Sequence, residues 1–446
     1  MTFTNRRAFL GTTLGGLTAA VVGHNHVEEA PPPRRLEELP TTLAPQETLF
    51  LTWQHDPTTT MTVQWIGSEP TALRGQLKDE SIRYVTRTGT DWKTTPTELK
   101  PFAKTNMRVH RAELSGLTPG TEYVFQIGTT PTVYRFRTMP AKATDTFSFV
   151  SGGDCGVNPH AVANNILAAK QEPHFALIGG DLGYDNGTSP KTALAFFQNY
   201  AKHMIDPKGR LIPMVTCLGN HEVRGGYNGK REDAAFYLPL FDGFYRDATY
   251  GTLDFGDYLS LVLLDTGHVS KIGGAQTDWL ESALQQREDR QHLIVANHVP
   301  AYPSYRPSGS TAPMKPSVLD MFGLGGKPTS SSGTGDENRK FWCPLFERHG
   351  VDAVLEHHDH TFKRTHPLKD GLKDKYGVPY LGDGSWGMLR APSTPEKRPY
   401  LAAVGKAYHF SIHRLEGEQR FHVAMEEGGR LADVYATTGK RPSKRG

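Results

Sequence analysis

Cysteine is nearly missing: Cys155, Cys217 and Cys343 are the only three in 446 residues. An odd count without a CxxC pair argues against a disulfide framework or a thiolate zinc site, although one disulfide plus a free thiol fits the count. Net charge is also small. The formal balance is +3 and the Lys and Arg residues are scattered, which gives no case for a nucleic-acid surface. No apolar run comfortably reaches the ~20 residues that a bilayer span needs. No internal repeat at a solenoid period is found. What the chain does have is 46 Gly and 31 Pro, a composition of many turns and loops. Apolar residues make up 37% and aromatics 10%, enough to build cores. At 446 residues one ordinary core is exceeded, so two domains are expected.

The N-terminus reads Thr4-Asn5-Arg6-Arg7-Ala8-Phe9-Leu10 and resembles a bacterial twin-arginine export signal. A moderately apolar run follows over 8–22, diluted by Gly and Thr. Residues 1–26 are therefore expected to direct export to the periplasm or beyond, without stable membrane insertion afterwards. Residues 27–46 form a Pro-rich linker.

From about residue 47 to 140 the pattern is short strands and turns. The clearest runs are 49–53, 61–66, 109–114, 123–127 and 133–136, with Thr118-Pro119-Gly120 as a turn between two of them. This predicts an all-β sandwich. The rhythm changes over 145–430, where apolar runs alternate with helical stretches near 160–170, 190–204, 275–288 and 338–348. That alternation predicts an α/β domain. Residues 306–337 are rich in Ser, Gly, Pro and Thr and read as a long loop. Strand-like runs return over 408–412 and 420–425, and residues 431–446 are expected to be a disordered tail.

Polar residues fall at informative places. Five apolar runs each lead into a potential metal ligand. The run 147–150 leads to Gly152-Gly153-Asp154-Cys155-Gly156, and 175–178 leads to Gly179-Gly180-Asp181-Leu182-Gly183-Tyr184. The run 211–216 leads to Gly219-Asn220-His221-Glu222, 293–296 to Asn297-His298, and 351–355 to His357-His358-Asp359-His360. Ligands at the carboxyl ends of neighbouring strands can converge on one crevice. Glycine lets the backbone approach a bound ion closely.

These blocks resemble, in order, the DxG, GDxxY, GNHD/E, VxxH and GHxH motifs of the metallophosphoesterases. Tyr184 resembles the tyrosine that marks the purple acid phosphatases among them. The resemblance covers about residues 45–430. It implies a four-layer catalytic domain of two packed β-sheets flanked by helices, preceded by a fibronectin type III-like sandwich. It also implies a site of Fe(III) held by Asp154, Asp181, Tyr184 and His360. A second, divalent ion (Zn, Fe or Mn) would be held by Asp181, Asn220, His298 and His358, with Asp181 bridging. The chemistry agrees. Two carboxylates, a phenolate and an imidazole suit a hard trivalent ion, and the more neutral set suits a divalent one.

The implied substrate is a phosphate ester, hydrolysed as a phosphomonoester by in-line attack of a hydroxide supplied at the metal pair. His221 would protonate the departing alkoxide, and Glu222 would orient His221 from behind. Phosphodiester or nucleotide hydrolysis would use the same centre. A non-catalytic envelope binding protein is opposed by the intact ligand set. The pattern is broken at His357, which stands where GHxH has glycine: it is bulkier and either crowds the loop, adds a donor to the pocket or, the reading favoured, is an ordinary loop residue. The segment Val299-Pro300-Ala301-Tyr302-Pro303-Ser304-Tyr305-Arg306 lacks the histidines that plant members carry; Tyr302, Tyr305 and Arg306 are candidates for substrate contact in their place, with surface packing the favoured reading. Cys155 reads as a small buried residue. The oligomeric state is not legible.

Overall fold

Short β-branched and aromatic runs punctuated by turns build the first part of the chain as antiparallel strands. The computed structural model describes residues 43–68, 81–103, 105–143, 147–309 and 333–439. The export signal, most of the linker, much of the 306–337 segment and the last seven residues of the expected tail lie outside the described residues. Strands β1 (Phe50–Thr52), β2 (Met61–Ser68), β3 (Ile82–Thr86), β4 (Lys93–Thr95), β5 (Glu98–Pro101), β6 (Met107–Leu114), β7 (Glu122–Ile127) and β8 (Tyr134–Arg137) form two four-stranded sheets. Their orders are β1-β2-β6-β5 and β4-β3-β7-β8, and every pairing is antiparallel.

The remainder forms two larger sheets. The first holds β9 (Phe147–Gly152), β10 (Ala176–Ile178) and β11 (Met214–Thr216), continued by strands from the C-terminal end of the chain. The second holds β12 (Gly251–Phe255), β13 (Leu259–Leu264), β14 (His292–Asn297), β15 (Ala353–Glu356) and β16 (Phe362–Thr365). After a small hairpin, β17 (Leu368–Lys369) with β18 (Leu372–Lys373), this sheet is completed by β19 (Tyr380–Asp383) and β20 (Leu401–Gly405). Then β21 (His409–Glu416), β22 (Gln419–Glu426) and β23 (Leu431–Thr438) return to the first sheet, giving the order β11-β10-β9-β21-β22-β23. The other order is β12-β13-β14-β15-β19-β16-β20.

Alternation along the strands explains why the sheets stack. Leu261, Leu263, Ile294, Ala296 and Leu355 join Phe149, Phe175, Leu177 and Leu415 of the other sheet in one buried cluster. Their neighbours Val262, Leu264, Leu293, Val295 and Val354 face the opposite way. There they pack under the helix Ala275–Gln285 and the helical segment Asn338–Arg348, through Leu280, Leu284, Trp342 and Phe346. Helices α1 (Pro159–Ala169) and α2 (Pro190–His203) pack against each other, and α1 also packs against β21. No helix among the described residues is long and apolar enough to cross a membrane. All three cysteines are buried and unpaired.

The described residues form one compact unit, so the sandwich is not a tethered module with a core of its own. Its Leu51, Trp53, Val63 and Phe136 belong to the same buried cluster as the catalytic sheets. Trp53 meets Phe175 and Phe255 edge-on, at 6.1 and 5.8 Å between ring centroids. Arg111, nearly buried, ties the two parts: it donates to Asp242 at 2.6 Å and to the Pro239 and Leu240 carbonyls at 2.8 and 3.0 Å.

The expected tail 431–446 needs correction. Its first eight residues are β23, an edge strand paired along its length with β22. Leu431 and Val434 are 50% and 59% exposed, so the strand has little apolar pattern to read. Tertiary contacts hold it instead. Arg364 pairs with Asp433 at 2.6 Å and lies 4.4 Å over the Tyr435 ring.

Candidate functional site

The five motif loops leave the carboxyl ends of β9, β10, β11, β14 and β15. These strands are parallel within each sheet, so the ends lie together. Backbone bonds knit the loops: Asp154 N–H donates to Gly180 O at 3.0 Å and Cys155 N–H to Asp181 O at 2.9 Å. Asp154, Asp181, His298 and His358 each offer one ligand atom, all within 4.8 Å of one another, and all four are buried. Asp154, Asp181, His358 and His360 have φ of 57°, 54°, 66° and 55°. Left-handed backbone at a non-glycine residue costs ~1–3 kcal/mol, and such strain gathers at functional sites.

One half of the site is oxygen-rich. The Tyr184 hydroxyl donates to Asp154 Oδ1 at 3.1 Å and lies 3.1 Å from His360 Nε2. His360 Nε2 is itself 3.0 Å from Asp154 Oδ1. The other half is imidazole-rich. His298 Nε2 lies 3.0 Å from His358 Nδ1 and 3.2 Å from Asn220 Oδ1. Asp181 stands between the halves, with Oδ2 3.2 Å from His298 Nε2 and Oδ1 accepting from the His221 amide at 2.8 Å. All seven expected ligand residues are thus brought together.

Burial and the two carboxylates set the electrostatics of this cluster. Burial, and then the Asp154 and Asp181 carboxylates, push the Tyr184 phenol well above its ordinary range. Burial alone would pull His298 down, yet Asp181 raises it to about 9. His298 Nδ1 lies 2.8 Å from the Gly179 carbonyl, which fixes the ring and turns Nε2 toward the cluster. A carbonyl behind a ring facing a metal is the usual support for a histidine ligand. The donor set and its supports therefore fit a pair of metal ions.

His221 is half-buried, its side chain 24% exposed, with Nε2 4.0 Å from Asp181 Oδ2. Its ring packs on Tyr184 at 4.2 Å between centroids. Burial pulls its pKa down, opposed by the Asp181 charge.

Glu222 departs from expectation. It does not orient the His221 ring. Its carboxylate accepts the backbone N–H groups of Asp181, Leu182 and Gly219, each at 2.8 Å. It is a clamp that holds the Asp181 loop against the Asn220 loop, and burial beside Asp181 raises it to about 8.

His357 departs as well: it is fully buried rather than an ordinary loop residue. Tyr302 belongs to the core, 2% exposed, whereas Tyr305 lies on the surface under the Arg390 guanidinium, 4.9 Å from its ring. Arg306 donates to the His358 carbonyl at 3.1 Å. Cys155 is buried, and burial pushes its thiol well above its ordinary range, so it is inert. Sequence reasoning missed Tyr227, whose hydroxyl is 3.4 Å from His358 Nε2, and Arg390, whose Nε donates to His360 Nδ1 at 3.2 Å. Neither sits in a motif, so only the fold could reveal them.

Two stacked sheets with carboxylate, phenol, amide and imidazole groups gathered at their strand ends define a metal-dependent phosphoesterase. Comparison with known proteins agrees. Residues 46–150 match the purple acid phosphatase N-terminal domain, and residues 152–362 match the calcineurin-like phosphoesterase family. Human acid phosphatase type 7 is 27% identical over 351 residues, covering 73% of this chain and 76% of the relative. Purple acid phosphatase 18 of Arabidopsis thaliana is 24% identical over 302 residues, covering 62% of this chain and 58% of the relative. The structure of the purple acid phosphatase PPD1 from yellow lupin seeds shares the fold, with a TM-score of 0.66, 16% identity, and coverage of 88% of this chain and 74% of that one. The chain belongs to the calcineurin-like phosphoesterases as a purple acid phosphatase-like member.

Proposed function

We propose that the protein is an exported phosphomonoesterase with a dinuclear metal centre. Asp154, Asp181, Tyr184 and His360 would hold Fe(III). Asp181, Asn220, His298 and His358 would hold a divalent Zn, Fe or Mn ion. Bound ions of this kind supply Lewis acidity and a water made nucleophilic near neutral pH. The chain's own residues do the rest. Arg306 and Asp359 fix the loop bearing His358, through the His358 carbonyl and the Ser304 and Tyr305 amides. His221, packed on Tyr184 beside the oxygen cluster, donates a proton to the leaving oxygen.

The observation that carries this reading is the Tyr184 hydroxyl within 3.1 Å of both Asp154 Oδ1 and His360 Nε2. A phenol so placed would hold iron as its phenolate, beside Asp154 and His360. Oxidised, iron-loaded protein is therefore expected to absorb in the visible through phenolate-to-iron charge transfer. Tyr184→Phe should lose that band and keep the fold, as judged by circular dichroism. A fully loaded, oxidised wild type that is colourless would reject the tyrosinate ligand. Initial rates on mono- and diester substrates separate this reading from a phosphodiesterase on the same centre.

Export rests on Arg6 and Arg7. Replacing both with Lys is expected to leave the precursor in the cytoplasm of the host cell. Unchanged delivery to the periplasm, followed by fractionation, would refute the twin-arginine reading.

A further inference from the structure

His357 stands where the family pattern has glycine, and its side chain is fully buried. Burying an imidazole is costly unless its polar atoms are partnered. Nδ1 lies 2.6 Å from Oδ1 of Asp383, which is equally buried at the end of β19, while Nε2 has no hydrogen-bond partner among the described residues. The other Asp383 oxygen accepts from the Ser151 hydroxyl, and Ser151 Oγ lies 2.6 Å from His413 Nε2. The carboxylate thus anchors the His357 ring to β9 and β21 at once.

The ring is also a wedge between the loops that carry the ligand carboxylates. A Cβ at Gly153 would lie 2.9 Å from His357 Cγ, and one at Gly179 would overlap the ring outright. Gly153 directly precedes Asp154, and its N–H donates to the Asp383 carbonyl at 3.2 Å. Gly179 lies two residues before Asp181, and its carbonyl is the partner of His298 Nδ1. The His357 amide donates to the His298 carbonyl at 2.9 Å, and the next residue is His358. The buried ring therefore abuts the segments bearing Asp154 and Asp181, while the backbone of the same residue is bonded to His298 and runs on into His358. Three of those four have left-handed backbone, which persists only where the surroundings over-determine it.

We propose that His357 is a positioning residue: its imidazole, locked on Asp383, sets the spacing of the Asp154 and Asp181 loops and hence how tightly the metal pair is held. This rests on the metal reading of the site given above. Groups that orient metal ligands commonly contribute ~10–100-fold in metal affinity.

The test compares full-length wild type, His357→Gly, His357→Gln and Asp383→Asn, each titrated with zinc alone, and unfolded thermally with and without zinc. His357→Gly, which restores the family residue, is expected to bind zinc ~10–100-fold more weakly. The rise in unfolding midpoint caused by zinc should shrink with it, because ligand stabilisation scales with occupancy of the native state. His357→Gln, which keeps a polar group within reach of Asp383, should recover part of the affinity. A merely space-filling histidine would lower metal-free and zinc-loaded midpoints alike and leave zinc affinity unchanged, and that result overturns the proposal. If His357→Gly does not fold, Asp383→Asn decides, since an amide offers one acceptor where the carboxylate offers two. Wild-type zinc affinity in that variant would overturn the proposal equally. A wild type that binds no zinc would instead remove the metal reading on which the proposal stands.

Discussion

Asp181→Ala is expected to empty both metal positions and to lower phosphatase turnover by on the order of 10³-fold or more, the equivalent of several kcal/mol of lost charge stabilisation. The reason is its place. Asp181 stands between the halves of the site, with Oδ2 3.2 Å from His298 Nε2, and shares a 4.8 Å neighbourhood with Asp154, His298 and His358. The Asn220 side chain meets the imidazole half, with Oδ1 3.2 Å from His298 Nε2. Asn220→Ala should therefore deplete mainly the divalent ion, whereas Asp181→Ala depletes both. Elemental analysis of the two purified variants decides this, and loss of a single ion from the Asp181 variant would count against a bridging role.

The same residue sets the protonation of His298 in the metal-free protein. Burial would lower the His298 pKa, but the Asp181 charge and hydrogen bond raise it to about 9. The ordinary value is 6.5, so the folded pKa is the higher of the two. Stability from this pair is then fully present below about 6.5 and lost as pH rises through about 9. Metal-free wild type should show a falling unfolding midpoint across that window, and Asp181→Ala should show a flatter one. Metal uptake near neutral pH should also release protons, because His298 must give up its Nε2 proton to become a ligand. Identical pH profiles for the two metal-free proteins would show that the pair contributes nothing.

The ligand residues were legible because each is bonded within a few positions to the end of an apolar strand run. Placing β9, β10, β11, β14 and β15 places Asp154, Asp181, Asn220, His298 and His358 with them. The rest depended on contacts between distant segments. Glu222 reads as a catalytic partner of His221 by adjacency, but its oxygens serve amides at residues 181, 182 and 219. His357 reads as a loop residue because its partner, Asp383, lies on another strand. Strands such as β4 and β5 are short and largely exposed, with no apolar alternation to announce them. β23 was hidden for the same reason, since an edge strand buries little and is held by Arg364 and by its ladder to β22. Chain order shows where ligands converge, while the groups that brace them become visible only when the sheets are stacked.

His221→Ala is expected to keep both metals and to lose ~10²–10⁴-fold in rate on alkyl phosphates, the usual range for a general acid. On activated aryl phosphates the loss should be much smaller. An alkoxide of high pKa departs only with a proton, whereas an aryl oxide of low pKa departs without one. The geometry leaves His221 free for this task. Its backbone N–H is committed to Asp181 Oδ1 at 2.8 Å, while its side-chain Nε2 stands off at 4.0 Å from Asp181 Oδ2. Its Nδ1 has no hydrogen-bond partner among the described residues, so the ring is held by packing on Tyr184 rather than by Glu222. A ring held in that way can turn Nε2 toward a bound ester without breaking a hydrogen bond. Glu222→Gln should accordingly leave the ratio of alkyl to aryl rates near that of wild type while loosening the Asp181 loop. Two results for His221→Ala would refute the proton-donor role. Loss of metal would make His221 a ligand or a prop for one. An equal fall on both substrate classes would mean that it positions the phosphate instead, because a lost interaction common to both transition states cannot depend on the leaving group.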